Sequence, residues 1–251
     1  MSRKLNPALI FLLACSLLLS PLQASDLEKE QRWRSQVVDA ILDGEAIDLN
    51  DGQHDILAIK TEGNENNKTG VIIMHGIGIH PDYPTVINPL RVGLAEKGWN
   101  TLSLQLPVLP NEAESKDYTP IVPEATARIK AGIEYLKAQG MNKIAIVAHS
   151  LGTWMAGYAF EHGGIEAVAY VAIGMDVPSI DSMRVINIPM LDLYGDGDLP
   201  HVVDNAGKRK TAGAHNPQYS QVVTKGADHF FNGLESELIT TVDQWLQQHA
   251  K

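Results

Sequence analysis

Short runs of uninterrupted apolar residues recur along the chain, separated by longer stretches in which apolar residues return every three or four positions. Val71-Ile72-Ile73-Met74, Lys143 to Ala148, Ala167 to Ile173 and Ile188 to Tyr194 belong to the first kind. Runs without polar alternation predict strands covered on both faces, as in a parallel sheet. Thr101 to Leu104 and Tyr219 to Val223 read as shorter strands. The helical period predicts Asp26 to Asp43, with Val37, Val38, Ile41 and Leu42 on one side and Gly44 as the stop. It also predicts a helix opened by Asn88-Pro89 and ended by Gly98, with Asn88 as its cap. Pro123 to Gln139, Leu151 to His162 and a closing helix marked by Leu234, Leu238, Val242 and Trp245 follow. Glu45 to Asn50 and Gln53 to Lys60 read as a hairpin, because Asp51-Gly52 suits a tight turn. Strands alternating with helices predict an α/β fold. Between the strands ending near Ile173 and starting at Ile188, Gly174 to Asn187 is only 14 residues. A large separate cap does not fit there, so one domain over 25–251 is expected.

The first 24 residues break this pattern. Arg3 and Lys4 precede an almost wholly apolar stretch, Leu9 to Leu19, and Pro21-Leu22-Gln23-Ala24 supplies a break and a small residue. This reads as a secretory signal peptide over 1–24, cut after Ala24, with the protein exported to the periplasm. The apolar stretch is short for a membrane span. Leu12-Leu13-Ala14-Cys15 loosely resembles a lipobox, so a lipoprotein anchored at Cys15 is the alternative, and membrane contact is expected only in that case.

The full chain has 251 residues, 20 Lys+Arg against 30 Asp+Glu, and a formal net charge of −10. Cleavage after Ala24 removes two basic residues and no acid, leaving 18 against 30, or −12. A polyanion meets net repulsion, which argues against nucleic acid as a partner. The one compact basic cluster, Lys208-Arg209-Lys210, reads as a solvated helix end. Cys15 is the only cysteine, so a disulfide scaffold is excluded and the cleaved protein has no thiol nucleophile. No spaced His/Asp/Glu cluster points to a metal, and no cofactor is expected.

Ala148-His149-Ser150-Leu151-Gly152 stands between a buried strand and a predicted helix. A sharp turn there lifts a serine hydroxyl above the strand ends, and it needs small neighbours such as Gly152. Met74-His75-Gly76-Ile77-Gly78 follows an upstream strand, Gly195-Asp196-Gly197-Asp198 follows a later one, and Gly226-Ala227-Asp228-His229 precedes the closing helix. Together these segments resemble the α/β-hydrolase superfamily from about Ile56 onward. The first of them departs from its G-x-S-x-G elbow by carrying Ala148. Within the superfamily the chain looks most similar to uncharacterised bacterial exported α/β-hydrolase-like proteins.

The resemblance implies a single-domain α/β-hydrolase fold, with a mostly parallel central sheet, helices on both faces and no large cap. It implies Ser150 as nucleophile, Asp198 as acid and His229 as base, in the chain order of that fold. Backbone N–H groups of Ile77 and Leu151 would form the oxyanion hole. Asp196 is the second choice for the acid and Asp176 the third. His75 is expected to brace its loop, and His80 is only a weak candidate for lining the site. His54, His162, His201, His215 and His249 are expected to be solvated. The implied activity is that of a serine hydrolase acting on a small-molecule ester or acyl substrate. The alternative is a non-catalytic envelope protein that keeps the fold for binding or assembly. An acidic loop, Pro107 to Pro120, follows a strand and is expected to overhang the site.

Overall fold

The protein is described by a computed structural model over residues 25–251. The segment 1–24, with Cys15, Ala24 and the expected cleavage signal, lies outside the described residues. Eight strands form one sheet: β1 (Glu45–Asn50), β2 (Asp55–Thr61), β3 (Thr69–Met74), β4 (Asn100–Leu104), β5 (Lys143–His149), β6 (Ala169–Ile173), β7 (Met190–Gly195) and β8 (Tyr219–Thr224). Their order is β1-β2-β4-β3-β5-β6-β7-β8. β1 and β2 pair antiparallel, as do β2 and β4, and the other neighbours run parallel.

β3 lies between β4 and β5 and is buried along its whole length, so its alternation divides two apolar layers rather than core from solvent. Ile72 and Met74 join one layer with Ile129 and Met155; Val71 and Ile73 join the other with Leu90, Leu238 and Val242. Helices α3 (Glu124–Ala138) and α4 (Leu151–His162) therefore cover one face. Helices α2 (Ile87–Glu96) and α8 (Glu235–His249) cover the other. Three short helices, α5 (Ser179–Ser182), α6 (Pro200–Val203) and α7 (Ala206–Gly213), sit in the last connections. This is a single-domain α/β fold without a large cap, as expected.

The N-terminal helix α1 spans Leu27–Ala40 and is capped by Asp26, whose side chain accepts from Lys29 N–H. It ends three residues earlier than the apolar pattern predicts. Only Val37 of the expected face is buried; Leu42 is 95% exposed. The helix is anchored by polar groups instead. Lys29 Nζ donates to Leu109 O at 2.8 Å, and Glu30 pairs with the buried Arg128 at 2.8 Å.

Three further expectations are corrected. β1 and β2 pair Asn50 with Asp55, so the connection is a four-residue loop rather than a two-residue turn. Asp51 holds that loop by accepting from Gln53 and His54 N–H. Asn88 lies inside α2 rather than capping it, and its amide donates to Asp82 instead. Arg209 is no solvated cation: it is fully buried on Asp192 at 2.8 Å and also donates to Val202 O. Tyr219 and Gln221 donate to the same carboxylate. This network holds α7 and the end of α6 against β7.

Candidate active site

The carboxyl ends of β5, β6 and β7 open toward one cleft of about 430 Å3. β5 passes directly into α4 at Ser150, which has φ 53 and ψ −126. For a residue with a Cβ this backbone is strained, and it persists only where its surroundings impose it. Here the constraint is a close approach. A Cβ on Gly152 would stand 2.6 Å from His75 O, so α4 is seated against the loop after β3 and only glycine fits. Ala148, which replaces the first glycine of the elbow pattern, is fully buried between Met74 and Ala172 on the neighbouring strands. Its methyl group is accommodated by the core.

Asp198 follows β7 and His229 follows β8, and the two meet with Nδ1 2.6 Å from Asp198 Oδ1. Asp198 Oδ1 also accepts from Leu199 N–H at 2.6 Å. The carboxylate is fully buried and the imidazole is 8% exposed. Gly174, at the end of β6, has φ +55, and a Cβ there would lie 2.9 Å from His229 Cε1, so the ring rests on bare backbone. With Nδ1–H directed to Asp198, Nε2 is left as the acceptor. It makes no hydrogen bond among the described residues, Ser150 Oγ included. Ser150 and His229 both line the cleft.

Of the other two acids, Asp196 accepts from Gly226 N–H at 2.6 Å, tying the loop after β7 to the loop before His229. Asp176 bonds to Ser115 and Val177 N–H, not to His229. Ile77 and Leu151 line the cleft beside Ser150. Leu151 is the first residue of α4, where an N–H has no intrahelical acceptor. His75 is buried and braces its loop as expected. Its Nε2 accepts from Leu106 N–H at 2.9 Å, so Nδ1–H donates to Gly76 O. Burial lowers its pKa to about 3 and keeps it neutral.

His80 is not among the residues lining the cleft; it packs between Trp33 and Tyr83. Tyr83 in turn meets Phe230, whose ring touches both His149 and His229. His201, grouped by its sequence context with the solvated histidines, lines the cleft mouth. Sequence reasoning gave no role to His149. It is buried, and its Nε2–H donates to His229 O at 2.9 Å, fixing the backbone that carries His229. Burial lowers its pKa also to about 3. A strand-terminal residue one place before Ser150 faces the opposite side of the sheet from Ala148, which is the signal that could have found it. Among the described residues no group of three or more His, Cys, Asp or Glu could hold a metal ion, and no helix is long and apolar enough to cross a membrane.

A family described as a protein of unknown function, DUF3530, matches residues 19–125, less than half of the chain. The match includes the His75 loop and stops short of Ser150. A comparison with curated proteins finds no match. Among solved structures, the chain resembles Est1E from Butyrivibrio proteoclasticus, at 15% identity and a TM-score of 0.66, over 82% of this chain and 98% of that one. It resembles XC6422 from Xanthomonas campestris, an α/β serine hydrolase without lid, at 15% identity and 0.66, over 83% and 95%. It also resembles the Pyrococcus furiosus esterase Pf2001, at 16% identity and 0.68, over 83% and 91%. The chain has the α/β-hydrolase fold.

Proposed function

We propose that this protein is a serine hydrolase acting on a small carboxylic ester. One observation carries the reading: a serine held at φ 53 shares a cleft with an imidazole whose Nδ1 is bound to a buried carboxylate. In this reading Ser150 Oγ attacks the ester carbonyl while His229 Nε2 takes its proton. Asp198 fixes the tautomer and stabilises the imidazolium. The Ile77 and Leu151 N–H groups receive the charge on the carbonyl oxygen, each worth about 3–4 kcal/mol in systems of this kind. The tetrahedral species collapses, the alkoxide leaves with the proton from His229, and water repeats the sequence to release the acid and free Ser150. Ester rather than amide rests on fold analogy: Pf2001 is an esterase, and a structure of Est1E holds ferulic acid.

The same proposal places the protein outside the cytoplasm, related to uncharacterised exported hydrolase-like proteins. Ser25 N lies 3.4 Å from Glu124 Oε2, and Ser25 Oγ accepts from Arg128 at 3.1 Å. Cleavage after Ala24 would turn that amide into an ammonium facing a carboxylate. The mass of the exported protein tests this: a chain starting at Ser25 supports it, and a lipidated Cys15 replaces it with the anchored form.

A fluorophosphonate probe tests the activity. Labelling of the wild type but not of Ser150→Ala supports the hydrolase. A folded wild type that takes no label favours the non-catalytic binding protein.

A further inference from the structure

The cleft beside Ser150 is lined mainly by apolar side chains, among them Ile77, Ile79, Leu151, Val177, Leu199 and Phe230. Asp176 is the one carboxylate in that lining, and it comes from the end of β6, between the strands that carry Ser150 and Asp198. It is 8% exposed. Its Oδ1 accepts from Val177 N–H at 2.8 Å and its Oδ2 from Ser115 Oγ–H at 2.8 Å. Its own N–H donates to Thr153 Oγ1, which fixes the residue from below. No Lys, Arg or His forms an ion pair with it among the described residues. The other titratable groups lining the cleft are His149, held neutral by burial, His201 at the mouth, and His229.

A carboxylate can accept about four hydrogen bonds, and this one receives two. Asp176 lines the cleft, so its remaining acceptor capacity is available to a bound molecule. Asp198 removes the need for a second carboxylate on His229, and Asp176 is not in contact with that ring. The hydrolytic steps therefore leave Asp176 unused.

We propose that Asp176 is a specificity-determining residue that reads a hydrogen-bond donor on the substrate. The preferred substrate is then a small ester whose acid or alcohol part carries a hydroxyl or ammonium group beyond the reacting carbonyl. A substrate with a second carboxylate is rejected, because it brings like charge against Asp176 in a poorly solvated cleft. Ser115, on the loop that follows β4, supplies one donor and holds the carboxylate in place. This inference rests on Ser150 being the nucleophile.

Two matched ester series test it. One varies the acid, as methyl benzoates bearing 4-methyl, 4-hydroxy, 4-aminomethyl or 4-carboxy groups. The other varies the alcohol, as benzyl acetates with the same four groups. In at least one series the wild type should favour the hydroxyl or ammonium member over the methyl member by about 10- to 100-fold in kcat/KM, the range of a hydrogen bond to a charged group. The carboxylate member should be the poorest. Asp176→Leu, which removes charge and acceptor together, should collapse those ratios, whereas Ser115→Ala, which keeps both, should preserve their order. A purely structural Asp176 would instead lower all members by one common factor in both variants, and that result overturns the proposal. A flat wild-type panel overturns it too. Fluorophosphonate labelling of wild-type Ser150 is scored separately, so loss of the hydrolase reading is distinguishable from loss of the specificity reading.

Discussion

The carboxyl ends of the strands and their amino ends each border a cavity, about 430 Å3 at the first and about 460 Å3 at the second, built in opposite ways. At the amino ends the lining is polar, with Asn64, Asn67, Asn142, Lys97 and Lys143, and the turns close on one another. Asn142 N–H donates to Lys68 O, and Asn67 Nδ2 to Gly98 O. At the carboxyl ends the lining is apolar, yet two neutral histidines and a carboxylate with one unpartnered oxygen, Asp198 Oδ2, are buried around it. All three non-glycine residues with positive φ among the described residues, Val86, Ser150 and Phe231, lie in connections that leave carboxyl ends. Cavity size does not separate the two ends. Strain and buried titratable groups do, because both are unfavourable for folding and persist where a site uses them.

The largest expected effects test whether that strain and burial serve chemistry. Ser150→Ala or His229→Ala should lower kcat/KM for a neutral aryl ester by about 10^3-fold or more, with the melting temperature nearly unchanged. Asp198→Asn should follow at about 10^3-fold. Asp196→Asn keeps an oxygen acceptor for Gly226 N–H and should change stability by no more than about 0.5 kcal/mol in urea denaturation, with little effect on kcat/KM. A larger catalytic loss at Asp196 than at Asp198 would move the acid.

Two glycines sharpen the comparison at the next level. A Cβ on Gly152 would lie 2.6 Å from His75 O, and one on Gly63, at the amino end, 2.3 Å from Trp99 O. Gly152→Ala and Gly63→Ala should each cost about 1–3 kcal/mol in urea denaturation. Only Gly152→Ala should also lower kcat, because it forces Ser150 and the Ile77 loop apart. Equal kcat losses would break the distinction between the two ends.

Acid stability gives a smaller effect with a definite sign. His75 and His149 have folded pKa values lowered to about 3 by burial, against about 6.5 when unfolded. Their contribution is present in full above pH 6.5 and is lost as pH falls toward about 3, since the unfolded chain binds the extra protons. Each histidine then adds a slope approaching about 1.4 kcal/mol per pH unit. Urea denaturation from pH 7 to 5 should be less steep in His149→Gln than in the wild type; identical slopes would mean that His149 is not held neutral. The smallest expectation is at the amino end. Lys97→Ala and Lys143→Ala should change stability by no more than about 0.5 kcal/mol and leave ester turnover as it is.

Much of the fold was readable from periodicity. The buried runs at 71–74, 143–148 and 188–194 are strands within a few residues, since only a sheet with helices on both faces leaves no polar alternation. The short helices at 179–182, 200–203 and 206–213 were not readable, because their residues carry little apolar period and are held by tertiary bonds such as Arg209 to Asp192. α1 misled for a related reason. Its apolar tail suggested a buried face, whereas Lys29, Glu30 and Arg128 hold it through buried polar contacts.

For the proposed site, the sequence by itself offered Ser150, then the two acids of one glycine-rich turn, then His229, in the chain order of the fold it resembles. Which carboxylate reaches the imidazole was decided only in three dimensions. Asp196 and Asp198 are two residues apart in one glycine-rich turn, and local pattern cannot tell which of them the chain turns inward. The contact that His149 makes and the role proposed for Asp176 also came from tertiary structure. One depends on a carbonyl 80 residues away and the other on a hydroxyl 61 residues away, and no local periodicity encodes such pairings.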